Sequence, residues 1–124
     1  MTDTVAEQSR TPDDPEDLKL ITLARAALGR TGAAQGAAQG AAVRDTEGRA
    51  YAAASVHLKH LNLSAVAVAV AMAVSSGASA LEAVAVAGGP ASDDDLDLLR
   101  DLPGAGVPVW SVDAKGQLLE ASRL

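Results

Sequence analysis

The chain has 124 residues, with Ala and Val making up about a third of them, and ten Lys and Arg against sixteen Asp and Glu leave a formal charge of −6. That length supports one domain with one core, and acidic charge with no basic stripe excludes a surface that grips nucleic acid phosphates. With no Cys and no Phe, and with Tyr51 and Trp110 as the only aromatics, disulfide frameworks and thiolate metal centres are excluded, and the core must be packed from small side chains.

Residues 1–14 read as a disordered acidic tail, because MTDTVAEQSRTPDD has too few apolar side chains to offset its ordering entropy. The start lacks the basic and apolar regions of a secretion signal, so a cytoplasmic protein is expected. Residues 15–124 form the folded domain. A helix is predicted from Pro15 to Arg30, with Pro15 in the first turn, Glu16 and Asp17 at the positive dipole end, and Leu20, Leu23, Ala24, Ala27 and Leu28 as its apolar stripe. GAAQGAAQ, from Gly32 to Gln39, reads as a loop. Strands at Ala41–Arg44 and Ala50–Val56 are joined by the turn Asp45-Thr46-Glu47-Gly48. Arg25, Arg30, Arg44 and Arg49 read as scattered surface charges.

His57 and His60 fall in a loop and read as surface histidines, with a replacement metal site shared with Asp93, Asp94 and Asp95 the weaker alternative. The run AVAVAVAMAV, Ala65 to Val74, alternates with period two like a strand. Its length, Asn62 or Ser64 as a cap, the stop at Ser75-Ser76-Gly77 and the helix propensity of Ala nevertheless predict a helix buried on most sides. The uncharged stretch Leu61–Leu81 is long enough to span a bilayer, but its Ser, Asn and Gly residues and its Ala-Val character argue for a buried element, not a membrane span. A strand at Glu82–Ala87, a helix capped by Ser92 or Asp93 and running to about Leu102, and strands at Val107–Val112 and Gln117–Glu120 complete the order αββαβαββ, which requires a mixed sheet.

That order, with GAAVRDTEGRAYAAASV as its first hairpin and SAVAVAVAMAVSSG as its second helix, resembles the cytidine deaminase family over about Leu18 to Val112. The resemblance implies a three-layer αβα fold with a mixed five-stranded sheet. It also implies a zinc site. The family opens this helix with Cys-Ala-Glu and has a Gly thirteen residues after the Cys, the separation of Ser64 from Gly77 here. Ser64 thus stands at a ligand position and Val66 at that of the proton-transferring Glu. The family's Pro-Cys-x-x-Cys aligns with Pro90-Ala91-Ser92-Asp93-Asp94, putting Ala91 and Asp94 at the thiolate positions. The Asn-x-Glu that grips the ribose falls on Ser55-Val56-His57, and the aromatic that stacks on the pyrimidine falls near Ala37.

A hydroxyl is a poor zinc ligand beside a thiolate, and Val moves no proton. The expectation is therefore a protein of this fold without cofactor or catalytic residues, acting by association with itself, as a dimer or tetramer, or with a cytosolic protein partner. Neither nucleic acid nor membrane is expected as a partner. The alternative is a residual nucleoside-binding protein, or a hydrolase, using the inherited cleft without zinc. Ser64 as a nucleophile lacks the surrounding elbow and oriented base, and a helix cap is the simpler reading.

Overall fold

The computed structural model describes residues 12–30 and 38–124. The expected tail up to Thr11 and the greater part of the GAAQGAAQ loop lie outside the described residues. Among the described residues there are three helices and seven strands: α1 (Pro15–Gly29), β1 (Gly40–Asp45), β2 (Ala50–Ala54), β3 (Val56–His57), β4 (Asn62–Leu63), α2 (Ala65–Ser75), β5 (Leu81–Ala87), α3 (Asp93–Leu99), β6 (Pro108–Val112) and β7 (Leu118–Arg123). Five strands form one sheet in the order β2-β1-β5-β6-β7, while β3 and β4 pair separately.

β1 and β2 form the expected hairpin, running from Gly40 opposite Ala54 to Arg44 opposite Ala50. Asp45 shapes its turn. Its Oδ1 accepts from the Glu47 and Arg49 N–H groups at 3.0 and 2.9 Å, and Gly48 takes the positive φ of 88°. β1 also pairs antiparallel with β5, and β5 pairs parallel with β6. The connection through α2 therefore joins strands of like direction, β2 and β5, that sit on either side of β1. The segment beyond Ala54 leaves this sheet, so the predicted strand to Val56 divides. Val56 and His57 instead pair with Leu63 and Asn62, forming a small hairpin where a loop was expected.

The sheet lies between two helical layers. α1 covers one face, packing Leu20, Ile21 and Ala24 against Ala42, Ala83, Ala85, Ala87 and Val112. Asp14 caps this helix by accepting from Glu16 N–H at 2.9 Å. The buried stripe is Asp17, Leu20, Ile21, Ala24 and Ala27, shifted from the expected one. Leu23 is 40% exposed, because the inward face includes Ile21 and the acid at 17. The approach to β1 is close enough that a Cβ on Gly40 would meet the Ala24 carbonyl oxygen and the Leu28 backbone. A small-residue core is what allows this: Ala24, Ala27, Ala42 and Ala85 are fully buried.

α2 and α3 cover the other face. The period-two run is helical, with Ser64 as its cap and Gly77 at φ 102° just beyond its end. Helical winding places Ala65, Val66, Ala69 and Ala73 on one buried stripe, facing β1 and β2. The expectation of burial on most sides is corrected: Met72 and Val74 are 41% and 49% exposed. α3 is shorter than predicted, ending at Leu99, and β7 is longer, reaching Arg123. No helix among the described residues is long and apolar enough to cross a membrane.

Candidate functional site

Of the positions singled out by sequence, Ser64 and the residues that open α3 meet where the chain enters α2 and α3. Ser64 is the N-cap of α2, and its Oγ accepts from Ala67 N–H at 3.1 Å. The same hydroxyl donates to Asp95 Oδ1 at 2.7 Å. Both of its roles are filled within the protein. Val66, at the first turn of α2, is fully buried in the cluster that includes Ala41, Val43, Val84 and Val86, so the position aligned with the proton-transferring Glu is part of the core.

On the opposite side of this junction, Ala91 N–H donates to Ser111 Oγ at 3.2 Å, and Ala91 has no side-chain donor atom for a metal. Asp94 is exposed. The acid that meets Ser64 is its neighbour Asp95, 4% exposed, whose N–H donates to Ser92 Oγ at 3.1 Å. Residues 93–95 form the acidic first turn of α3, and of the three only Asp95 is buried. Two sequence signals point to it: Asp95 lies four residues before the core residue Leu99, hence on the same helix face, and Ser92-Asp93-Asp94-Asp95 has capping-box spacing.

Ser55 is buried and closes the chain on itself, its Oγ accepting from Gln39 N–H at 3.1 Å and its N–H donating to Gln39 O at 3.0 Å. His57 stands in β3 with Nδ1 2.7 Å from Asn62 Oδ1, on an exposed hairpin with Leu58 and Leu61 at its tip. Ala37 lies outside the described residues. Among the described residues, no group of three or more His, Asp or Glu is placed to share a metal ion. The zinc implied by the resemblance does not fit the residues present. One hydroxyl is engaged twice, one position is Ala, and the remaining carboxylate is turned to solvent. An open depression of about 590 Å³ lies elsewhere, lined by Pro90 and by Leu119 to Ser122 on β7.

A second polar cluster, unforeseen from sequence, lies under α1. Arg44, read above as a surface charge, is buried. Its Nη2 meets Asp17 Oδ1 at 2.8 Å and its Nε meets Glu82 Oε1 at 2.6 Å, while Trp110 Nε1 donates to Asp17 Oδ2 at 3.0 Å. Burial opposes the Arg44 charge, but the hydrogen bonds and charges of Glu82 and Asp17 outweigh it and raise its pKa. Arg44 Nη1 is buried without a partner. The cluster joins α1, β1, β5 and β6 and belongs to the scaffold.

Comparison with known proteins agrees with the fold. The sequence pattern of the family described as "Cytidine deaminase-like" matches residues 13–116. The fold is similar to that of a solved cytidine deaminase from Mycobacterium leprae (TM-score 0.71, 19% identity, covering 89% of this chain and 94% of that one). It is similar also to a cytidine deaminase from Burkholderia pseudomallei (TM-score 0.73, 20% identity, covering 86% and 91%). At these identities the likeness is one of fold. No curated protein matches the sequence.

Proposed function

This chain belongs to the cytidine deaminase-like family, and we propose that within it the chain acts without deamination, as a cytoplasmic protein that works by association with a second copy of itself. One observation carries the first half. Ser64, at the ligand position, has its hydroxyl bound to Ala67 N–H and to Asp95, and Val66, at the proton-transfer position, is fully buried in the core. Water activation in zinc deaminases needs a metal and an acid-base residue. Val66 can move no proton, the Ser64 Oγ is already engaged twice, and the chain has no Cys to supply a thiolate from elsewhere.

Association is supported by the outer face of α2. Met72 and Val74 are exposed on a helix without a charged residue, and Leu58 and Leu61, 63% and 49% exposed, stand on the β3–β4 hairpin that leads into that helix. Exposed apolar groups of this kind mark contact surfaces, and a helix face without charge is self-compatible across a two-fold axis.

Light scattering coupled to gel filtration tests the proposal. The expected mass is a dimer's or a tetramer's, and Met72→Glu is expected to shift it to the 12.4 kDa monomer with unchanged far-UV circular dichroism. A wild-type monomer at micromolar concentration refutes association. Uridine release from cytidine above that of a heat-denatured control refutes the non-catalytic half. Calorimetric binding of cytidine or uridine without turnover would replace the proposal with a nucleoside-binding function.

A further inference from the structure

The beginnings of α2 and α3 are joined by a hydrogen bond that neither helix requires for its own capping. Ser64 caps α2 through its Oγ lone pair, and Ser92 caps α3 in the same way, by accepting from Asp95 N–H. In a capping box the acid three residues after the cap turns back to the cap's own N–H. Asp95 has that spacing from Ser92, yet its carboxylate reaches to the other helix and accepts from the Ser64 hydroxyl at 2.7 Å. At 4% exposure this is a charge-assisted bond in a nearly dry setting, among the stronger hydrogen bonds a protein makes. It also holds a negative charge at the positive ends of two helix dipoles.

This is the junction at which the family resemblance implies a metal, and the residues there do not fit one. We infer that Ser64 and Asp95 form a metal-free clamp that fastens α2 to α3 in the place of the zinc. The carboxylate supplies the negative charge that suits two helix N-termini, and the hydroxyl supplies the link between elements. The packing of this end of the domain then depends on two side chains and on no bound ion. The inference goes beyond association and does not depend on it.

A double-mutant cycle on the full chain tests it, with urea unfolding followed by circular dichroism and by Trp110 fluorescence. Asp95→Ala is expected to lower the folding equilibrium constant about 10-fold, and Ser64→Ala about 100-fold, since it removes a cap and strands a buried carboxylate. Adding Asp95→Ala to Ser64→Ala should then restore part of the stability, a coupling of more than about 10-fold. Ser64→Thr, which keeps the hydroxyl, should stay within about 10-fold of wild type. If Ser64→Ala does not fold, the double variant must. Multiplicative single effects, or a double variant no better folded than an unfolded Ser64→Ala, would overturn the clamp. So would a fall in melting temperature on treatment of the purified chain with EDTA and 1,10-phenanthroline, which the clamp predicts to be without effect.

Discussion

Replacing Arg44 with Met keeps most of the volume of a buried side chain while removing the charge that holds α1 to the sheet. The magnitude follows from the two carboxylates it leaves behind. Glu82 has a side chain 48% exposed, so water takes over its charge and the lost pair contributes only about 0–1 kcal/mol. Asp17 has a side chain 8% exposed and keeps only Trp110 Nε1 of its two partners, and stranding such a charge costs about 3–5 kcal/mol. Against this stands the relief of Arg44 Nη1, which is buried without a partner and costs about 1–3 kcal/mol in the wild type. The net expectation for Arg44→Met is a loss of about 3 kcal/mol, or roughly 10 °C in melting temperature for a domain of this size. Guanidinium unfolding read by Trp110 fluorescence measures it directly, because the only tryptophan is a member of the cluster. Combining Arg44→Met with Asp17→Asn removes the stranded charge and should recover more than half of the loss. A single-variant loss below about 1 kcal/mol, or a double variant as unstable as the single, would refute the assignment of the energy to a buried unpaired carboxylate.

Gly40→Ala is expected to be among the most destabilising single-methyl additions in the chain, since its Cβ would meet the Ala24 carbonyl and the Leu28 backbone. A loss of at least about 3 kcal/mol in urea unfolding is predicted, against about 1 kcal/mol for Gly77→Ala, which has open space and only a positive φ to contend with. For Asp45, burial pushes the carboxyl up, but the Arg49 and Glu47 N–H groups, the Tyr51 hydroxyl and the Arg49 charge outweigh it and hold the pKa below the usual carboxylate range. A depressed folded-state pKa stabilises above the unfolded value, and that stability is lost as pH falls through the folded one. Asp45→Asn should accordingly flatten the acid limb of the stability profile below about pH 4, and an unchanged acid limb would exclude Asp45 as its source. Val66→Glu, which restores the acidic residue at the aligned position, should cost several kcal/mol by placing a carboxylate in a dry core and should yield no uridine. A variant as stable as wild type would show that Val66 lies beside solvent.

The order of the helices and of the five strands of the main sheet, the hairpin turn at Asp45–Gly48, the short list of candidate caps that holds Ser64 and Ser92, and the family resemblance were legible in the chain, because each rests on local chemistry. Propensity, turn residues and caps act within a few positions of sequence. The period-two run at Ala65–Val74 shows the limit of such reasoning. Its alternation describes a strand, and only length and flanking residues argue otherwise. What the alternation could not tell is which of its residues face the sheet: Ala65, Ala69 and Ala73 do, and Met72 and Val74 do not. The tertiary structure also decided the fates of charges that sequence reads as surface. Arg44 is drawn inward by Asp17, 27 residues away, and Asp95 by Ser64, 31 residues away. A charge is buried only when a partner arrives to replace its water. That partner is fixed by how strands and helices pack across the fold, which the residues adjacent in sequence do not record.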